Sequence, residues 1–172
     1  MNEPHQLAYT DFVLPPSVVS KVDISRLVSD FERVDSELTT IAVRAKAGVK
    51  QSPTLSLSAP LAEFLNQNNL RPKGSRERSE LIAVLHQLKD NAPVIHLTFA
   101  AEADQTSLEQ LTQWVRTSIH PQAVLSVGVQ PALVAGVYLR TPNRVHDLSL
   151  RGALEQGREI LTQELGALRG RV

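Results

Sequence analysis

At Pro93 the spacing of apolar residues changes from the three-and-four steps of a helix to the two-residue step of a strand, and no single regular fold accommodates both. Upstream, Ile24, Leu27, Phe31, Val34, Leu38, Ile41 and Ala45 place one narrow apolar seam on a helix that begins with Asp23 as its N-cap and ends near Gly48. Such a seam reads as the core of a bundle, with a docking surface for another helix as the alternative. After a Ser/Pro-rich break over 52–58, Ser58 and Pro60 open a short helix carrying Leu61, Phe64 and Leu65, which stops near Asn68 and Asn69. Residues 71–80 read as a charged, solvated loop leading into a helix with Leu81, Ile82, Val84, Leu85 and Leu88 inward. The first twenty residues, with Pro4, Pro15 and Pro16, carry no period and read as an arm or an irregular lead-in.

Downstream of Pro93, Ile95, Leu97 and Phe99 alternate with His96 and Thr98 as a half-buried strand. Thr106 with Glu109 forms a capping-box start for a helix whose expected buried face is Leu108, Leu111, Val115 and Ile119. Two more strands follow: one with Leu125, Val127 and Val129 on one face, and one at Gly136 to Arg140. A turn at Pro142–Asn143 returns Arg144 to Asp147 antiparallel to it. From Ser149 a final helix carries Leu150, Leu154, Gly157, Leu161, Leu165 and Leu168 on one stripe. The expected fold class is α+β. A helical bundle over 1–92 is followed by a strand–helix–strand–hairpin–helix domain over 93–172.

Composition narrows the function. A length of 172 residues, 42% of them apolar, is enough for a buried core, but aromatics supply only 4%, which favours helix packing by Leu, Val, Ile and Ala over a large sandwich. A formal net charge of zero argues against a dedicated nucleic-acid binder. The balance is local, however: residues 1–40 are rich in acids and 43–89 in bases, so two differently charged surfaces are expected. The chain has no cysteine, which excludes disulfide scaffolds, zinc ribbons and thiol nucleophiles. No stretch approaches the ~20 apolar residues of a bilayer span, and MNEPHQ lacks a signal-peptide pattern. Membrane association is therefore expected through partners, without direct insertion.

Reactive constellations are equally sparse. There is no Gly-x-x-x-x-Gly-Lys-Ser/Thr loop and no Gly-x-Gly-x-x-Gly turn to cradle phosphates. The five histidines are not spaced as metal ligands, and no cofactor is expected. His146, Asp147 and Ser149 have the side chains of a hydrolytic triad, but as near neighbours at a hairpin-to-helix corner they lack a nucleophile elbow. Arg71, Lys73, Arg76 and Arg78 are diluted by Glu77 and Glu80 and have no aromatic for base stacking.

Residues 123–154, AVLSVGVQPALVAGVYLRTPNRVHDLSLRGAL, resemble the C-terminal signature of the F-type ATP synthase delta subunit family, whose mitochondrial member is the oligomycin-sensitivity-conferring protein. Gly136 matches the second glycine of the family's pair and Arg140 its strand arginine. Asp147, Ser149, Arg151, Gly152 and Leu154 match the closing Asp-x-Ser-x-Arg-Gly-x-Leu. Ala135 and Leu148 depart from the pattern, and the strand–helix order of 94–120 extends the resemblance to roughly the last 80 residues. Physically, Gly136 provides close backbone approach or positive φ, and Asp147 or Ser149 can cap the last helix. Arg140 and Arg151 can pair with that aspartate or face a partner. The family's six-helix N-terminal bundle has only about three readable counterparts here.

The resemblance implies a non-catalytic stator subunit of a proton-translocating synthase. It would join the alpha/beta catalytic head to the b subunit of the peripheral stalk, on the cytoplasmic side of a bacterial membrane. Leu161, Leu165 and Leu168, at the far end of the last stripe, are the candidate stalk contacts. A small interaction adaptor unrelated to ATP synthase is the alternative. Because no phosphate cradle is present, titration calorimetry of the isolated chain with magnesium and ATP is expected to show no micromolar binding; a micromolar isotherm would revive an enzymatic reading.

Overall fold

The computed structural model describes residues 8–48, 56–133, 135–141, 144–155 and 157–158. The element order is a 3₁₀ turn at Tyr9–Asp11, α1 (Lys21–Lys46), α2 (Ala59–Gln67), α3 (Ser75–Asn91), β1 (Val94–Phe99), α4 (Gln105–Ser118), β2 (Val124–Val129), a 3₁₀ turn at Pro131–Leu133, β3 (Gly136–Arg140) and β4 (Val145–Ser149). Residues 150–155 and 157–158 are helical and are called α5. The architecture is α+β, as the change of period at Pro93 implies. Two compact units form, Met1–Pro93 with Glu109–Val124, and Val94–Leu108 with Leu125–Val172.

In the helical unit, α1 starts three residues earlier than the apolar pattern indicates. Ser20 is its N-cap, with Ser20 Oγ accepting from the Asp23 amide at 3.3 Å and the Asp23 carboxylate accepting from the Ser20 amide at 2.9 Å. Asp23 is thus the third helical residue of a capping box, which satisfies two free donors where a single cap satisfies one. Ile24, Leu27, Val28, Phe31 and Val34 are buried, whereas the later seam residues Leu38 and Ile41 are only half-buried and Ala45 is exposed. The seam is therefore bundle core in its first half only. α3 likewise begins inside the segment expected to be a loop, at Ser75, because Glu77 reaches back to the Lys73 and Gly74 amides at 2.9 and 3.3 Å. The charged run is its first turns. Arg78 is not solvated but 7% exposed: its Nε donates to Asp35 of α1 and its Nη1 to the Lys73 carbonyl at 3.1 Å. A second link, His86 to Glu32 at 2.9 Å, joins the same two helices on their exposed side. Leu81, Leu85 and Leu88 fill the space between them.

In the second unit the strands run in the order β2-β1-β3-β4. Val124 donates to the Pro93 carbonyl and Gln130 to the Phe99 carbonyl, so the register offset is the same at both ends and β1 and β2 are parallel. β3 is antiparallel to β1, with His96 opposite Arg140, and β4 is antiparallel to β3, with Asp147 opposite Tyr138. Ile95, Leu97 and Leu125 are buried as the alternation requires, but Val127 and Val129 on edge strand β2 are 40% and 48% exposed. α4 is capped by Asp104, whose carboxylate accepts from the Ser107 amide at 2.9 Å and hydroxyl at 2.6 Å, rather than by a box on Thr106. These bonds hold the Asp104 carboxyl below its ordinary range. Its buried positions are Thr112 and Val115; Leu108 and Leu111 are half-buried and Ile119 is 48% exposed, because the helix ends at Ser118.

The lead-in segment is built into the helical unit from residue 8 onward, contrary to its reading as an arm; residues 1–7 lie outside the described residues. Phe12, Leu14, Val18 and Val19 are buried, and Phe12 meets Phe64 edge to face at 5.4 Å. Asn68 imitates a backbone neighbour, accepting from the Val13 amide at 2.8 Å and donating to the Val13 carbonyl at 2.9 Å. Gln122 donates to the Tyr9 and Phe12 carbonyls. Arg116 donates to the carbonyls of Leu14, Pro15, Val18 and Ala123. Burial pushes its guanidinium down to about 10, still protonated at neutral pH, and the four carbonyl dipoles offset that desolvation. Replacing Arg116 by Met leaves these acceptors unpaired and is expected to cost about 2–3 kcal/mol. Urea unfolding measures it, and a loss below about 0.5 kcal/mol would mean that water replaces the guanidinium.

Candidate functional site

The residues shared with the family motif converge on one corner, where β4 ends and α5 begins. Gly136 opens β3 at φ +92, and a Cβ there would stand 2.3 Å from the Leu148 carbonyl oxygen and 2.9 Å from Ser149 Cα. Both reasons for a glycine, left-handed backbone and close approach, hold at once. The approach lets Leu150 donate to the Ala135 carbonyl at 2.8 Å and carries the pairing of β3 and β4 to the first helical residue.

Two side chains then turn the chain. Ser149, 3% exposed, accepts with its Oγ from the Gly152 amide at 3.1 Å and is the cap of α5. Asp147 sits one step outside, its Oδ1 accepting from the Ser149 amide at 2.9 Å. Hydrogen bonding from Ser149, with a smaller contribution from the Arg151 charge, holds the Asp147 carboxyl below its ordinary range. The sequence left open which of the two residues caps; Ser149 does, and Asp147 braces it. Gly152 is small for a reason of its own, since a Cβ there would lie 3.0 Å from Asp147 Oδ2. His146, Asp147 and Ser149 are neighbours on one strand, and the carboxylate and hydroxyl are both engaged with backbone amides of the corner.

The remaining motif residues face outward. Arg151 pairs with Glu155 at 3.0 Å one turn along α5, both well exposed. Arg140 lies on β3, and its side chain makes no hydrogen bond or ion pair among the described residues. Leu154 is 63% exposed, and with Leu148 and Leu150, both also exposed, it gives the corner an apolar rim. Leu161, Leu165 and Leu168 lie outside the described residues.

The helical unit presents a second surface that the sequence did not disclose. A groove of about 310 Å³ lies between α1, α2 and the start of α3. Phe31, Leu38, Leu57, Leu65 and Leu70 line it, and Arg71 and Lys73 stand at its edge. Leu38 was legible as a seam residue, but its groove depends on α2 and on the Asp35–Arg78 pair bringing α3 alongside. Among the described residues no group of three or more His, Asp or Glu side chains could hold a metal, and no helix is long and apolar enough to cross a membrane.

The described residues define an α+β chain in two units whose motif builds a rigid strand-to-helix corner with an apolar rim. The model of the ATP synthase delta (OSCP) subunit family matches residues 75–161, half of the chain, and the protein belongs to that family. It is accordingly an ATP synthase subunit of the stator, or peripheral stalk, type. No curated protein matches it.

The two corner glycines differ in what a methyl group would strike, a fixed carbonyl at Gly136 and a movable carboxylate at Gly152. Gly136→Ala is expected to cost roughly 2–4 kcal/mol, and Gly152→Ala under about 1 kcal/mol because a better helix former partly compensates. Thermal melting of the two variants checks the ranking, and equal losses would contradict the close approach.

Proposed function

We propose that this chain is the non-catalytic linker of a proton-translocating F-type ATP synthase, joining the alpha/beta head to the b subunit of the peripheral stalk. In this reading residues 1–92 hold the head and residues 93–172 hold the stalk. The subunit sits peripherally, on the cytoplasmic side of a bacterial membrane. The observation that carries the reading is the family match over 75–161, together with the corner that its motif builds.

A stator link has to resist torque without dissociating, which calls for buried apolar contacts on stiff elements. The chain offers both kinds of feature. The groove beside α1 and α2 is an apolar seat for an amphipathic helix of the head, with Arg71 and Lys73 at its edge for acidic flanks. Leu150 and Leu154 stand four residues apart on one face of α5, and Leu161, Leu165 and Leu168 continue that spacing in the sequence. A stalk helix laid beside that stripe would bury apolar area at ~25 cal/mol per Å².

Two charge-introducing variants test the stalk contact, Leu154→Asp and the pair Leu165→Asp with Leu168→Asp. Each is expected to weaken binding to the soluble part of the b subunit at least ~10-fold while the melting temperature holds. Unchanged affinity in both variants would place the stalk elsewhere. Failure of the tagged full chain to copurify with the other synthase subunits would remove the linker reading altogether and favour an unrelated adaptor.

A further inference from the structure

The α+β unit carries a polar recognition face that the apolar stripe does not account for. In an antiparallel pair, directly opposed residues project to the same side of the sheet. The register sets His96 against Arg140 and Thr98 against Tyr138, so four polar side chains from β1 and β3 share one face. With Val94 and Thr141 they line a depression of about 490 Å³. The opposite face takes Ile95 and Leu97, which are buried. The alternation thus sorts one apolar and one polar side, and the polar side is open.

Its electrostatics are one-sided. Arg140 is exposed and makes no ion pair or hydrogen bond among the described residues. The carboxylate that the register brings to the same face is Asp147, opposite Tyr138, and it is already committed to Ser149 and the corner. The face therefore presents a guanidinium with unused donors, flanked by the hydroxyls of Tyr138 and Thr98 and by the His96 ring, while the Thr141 hydroxyl is engaged with the Arg144 backbone. A planar fork with neutral hydroxyl donors around it fits a carboxylate, which it can bind bidentately. A shallow depression on a sheet face, on a chain whose family is defined by assembly with other polypeptides, fits a side chain delivered by a partner.

We propose that Arg140, with Tyr138, Thr98 and His96, forms a carboxylate-recognition site for an Asp or Glu on a neighbouring polypeptide of the synthase. The site fixes the register of that neighbour on the β1–β3 face, while apolar contacts elsewhere supply affinity. A charge at such a contact governs association rate and salt dependence as well as affinity. The identity of the neighbour rests on the subunit reading above; the site chemistry rests on the sheet register and on an arginine whose side chain has no partner among the described residues.

The test uses the full chain with two purified probes, the soluble part of the stalk b subunit and the alpha/beta head, each at low and high salt. Arg140→Glu is expected to weaken binding to one probe at least ~10-fold, mostly through slower association, and to flatten its salt dependence. Arg140→Lys should recover part of the loss, and Tyr138→Phe, which removes only a hydroxyl, should show a smaller loss at an unchanged melting temperature. Within the probe that binds, reversing one acidic residue to Lys should restore affinity to Arg140→Glu. If the wild-type chain binds a probe and Arg140→Glu binds it equally well at both salts, the site is overturned while the linker reading stands. A loss in Arg140→Glu with no change in salt dependence and no rescue by charge reversal would also overturn it. If neither probe binds the wild-type chain, the linker reading fails and this assignment falls with it.

Discussion

A half-buried guanidinium ties the helical unit together. Arg116 reaches from α4 to three carbonyls of the lead-in segment and to the carbonyl of Ala123, immediately before β2. Backbone carbonyls removed from water need donors, and an irregular segment cannot supply them from its own ladder. Gln122 and Asn68 do the same for Tyr9, Phe12 and Val13. Once these carbonyls are satisfied, Phe12, Leu14, Val18 and Val19 can be buried beside α2 and α3. The cation itself is tolerated because four dipoles point at it, a substitute for the hydration it has lost.

The corner of the second unit solves a related problem with smaller parts. A strand that turns directly into a helix leaves amides with no partner, and here Ser149 and Asp147 take two of them. Glycine at 136 allows β3 to close against the end of β4, and glycine at 152 leaves room for the Asp147 carboxylate. Hydrogen bonds to the carboxylate lower its proton affinity, so the brace is charged at neutral pH. The family motif thus encodes a joint whose backbone groups are satisfied, with exposed apolar and basic side chains around it.

Those surfaces divide by chemistry. The apolar rim of Leu148, Leu150 and Leu154 offers buried area, while the Arg140 face offers direction. In the proposed role, a contact built from both would resist dissociation through the first and misalignment through the second. In the helical unit the groove beside Leu38 and Leu65 combines an apolar floor with Arg71 and Lys73 at its edge on a smaller scale.

The sequence by itself determined the α+β class, the elements from α1 to α5, the family and the need for glycine at 136, because each rests on local periodicity, a local motif or a local backbone requirement. Residues 71–80 are charged and exposed as their composition implies, except at Arg78, and only the fold shows that Asp35, 43 residues away, lets that one side chain be buried. The lead-in looked unstructured because its partners, Asn68, Arg116 and Gln122, lie about 55 to 113 positions further on, beyond any local window. Ile119 followed the helical period and still reached solvent, since the period continued one residue past the helix end. Arg140 was legible as a motif residue, but only the strand register places it beside His96 and Tyr138 on one face of the sheet. Long-range pairing decides such matters, and it leaves no trace in the spacing of neighbouring residues.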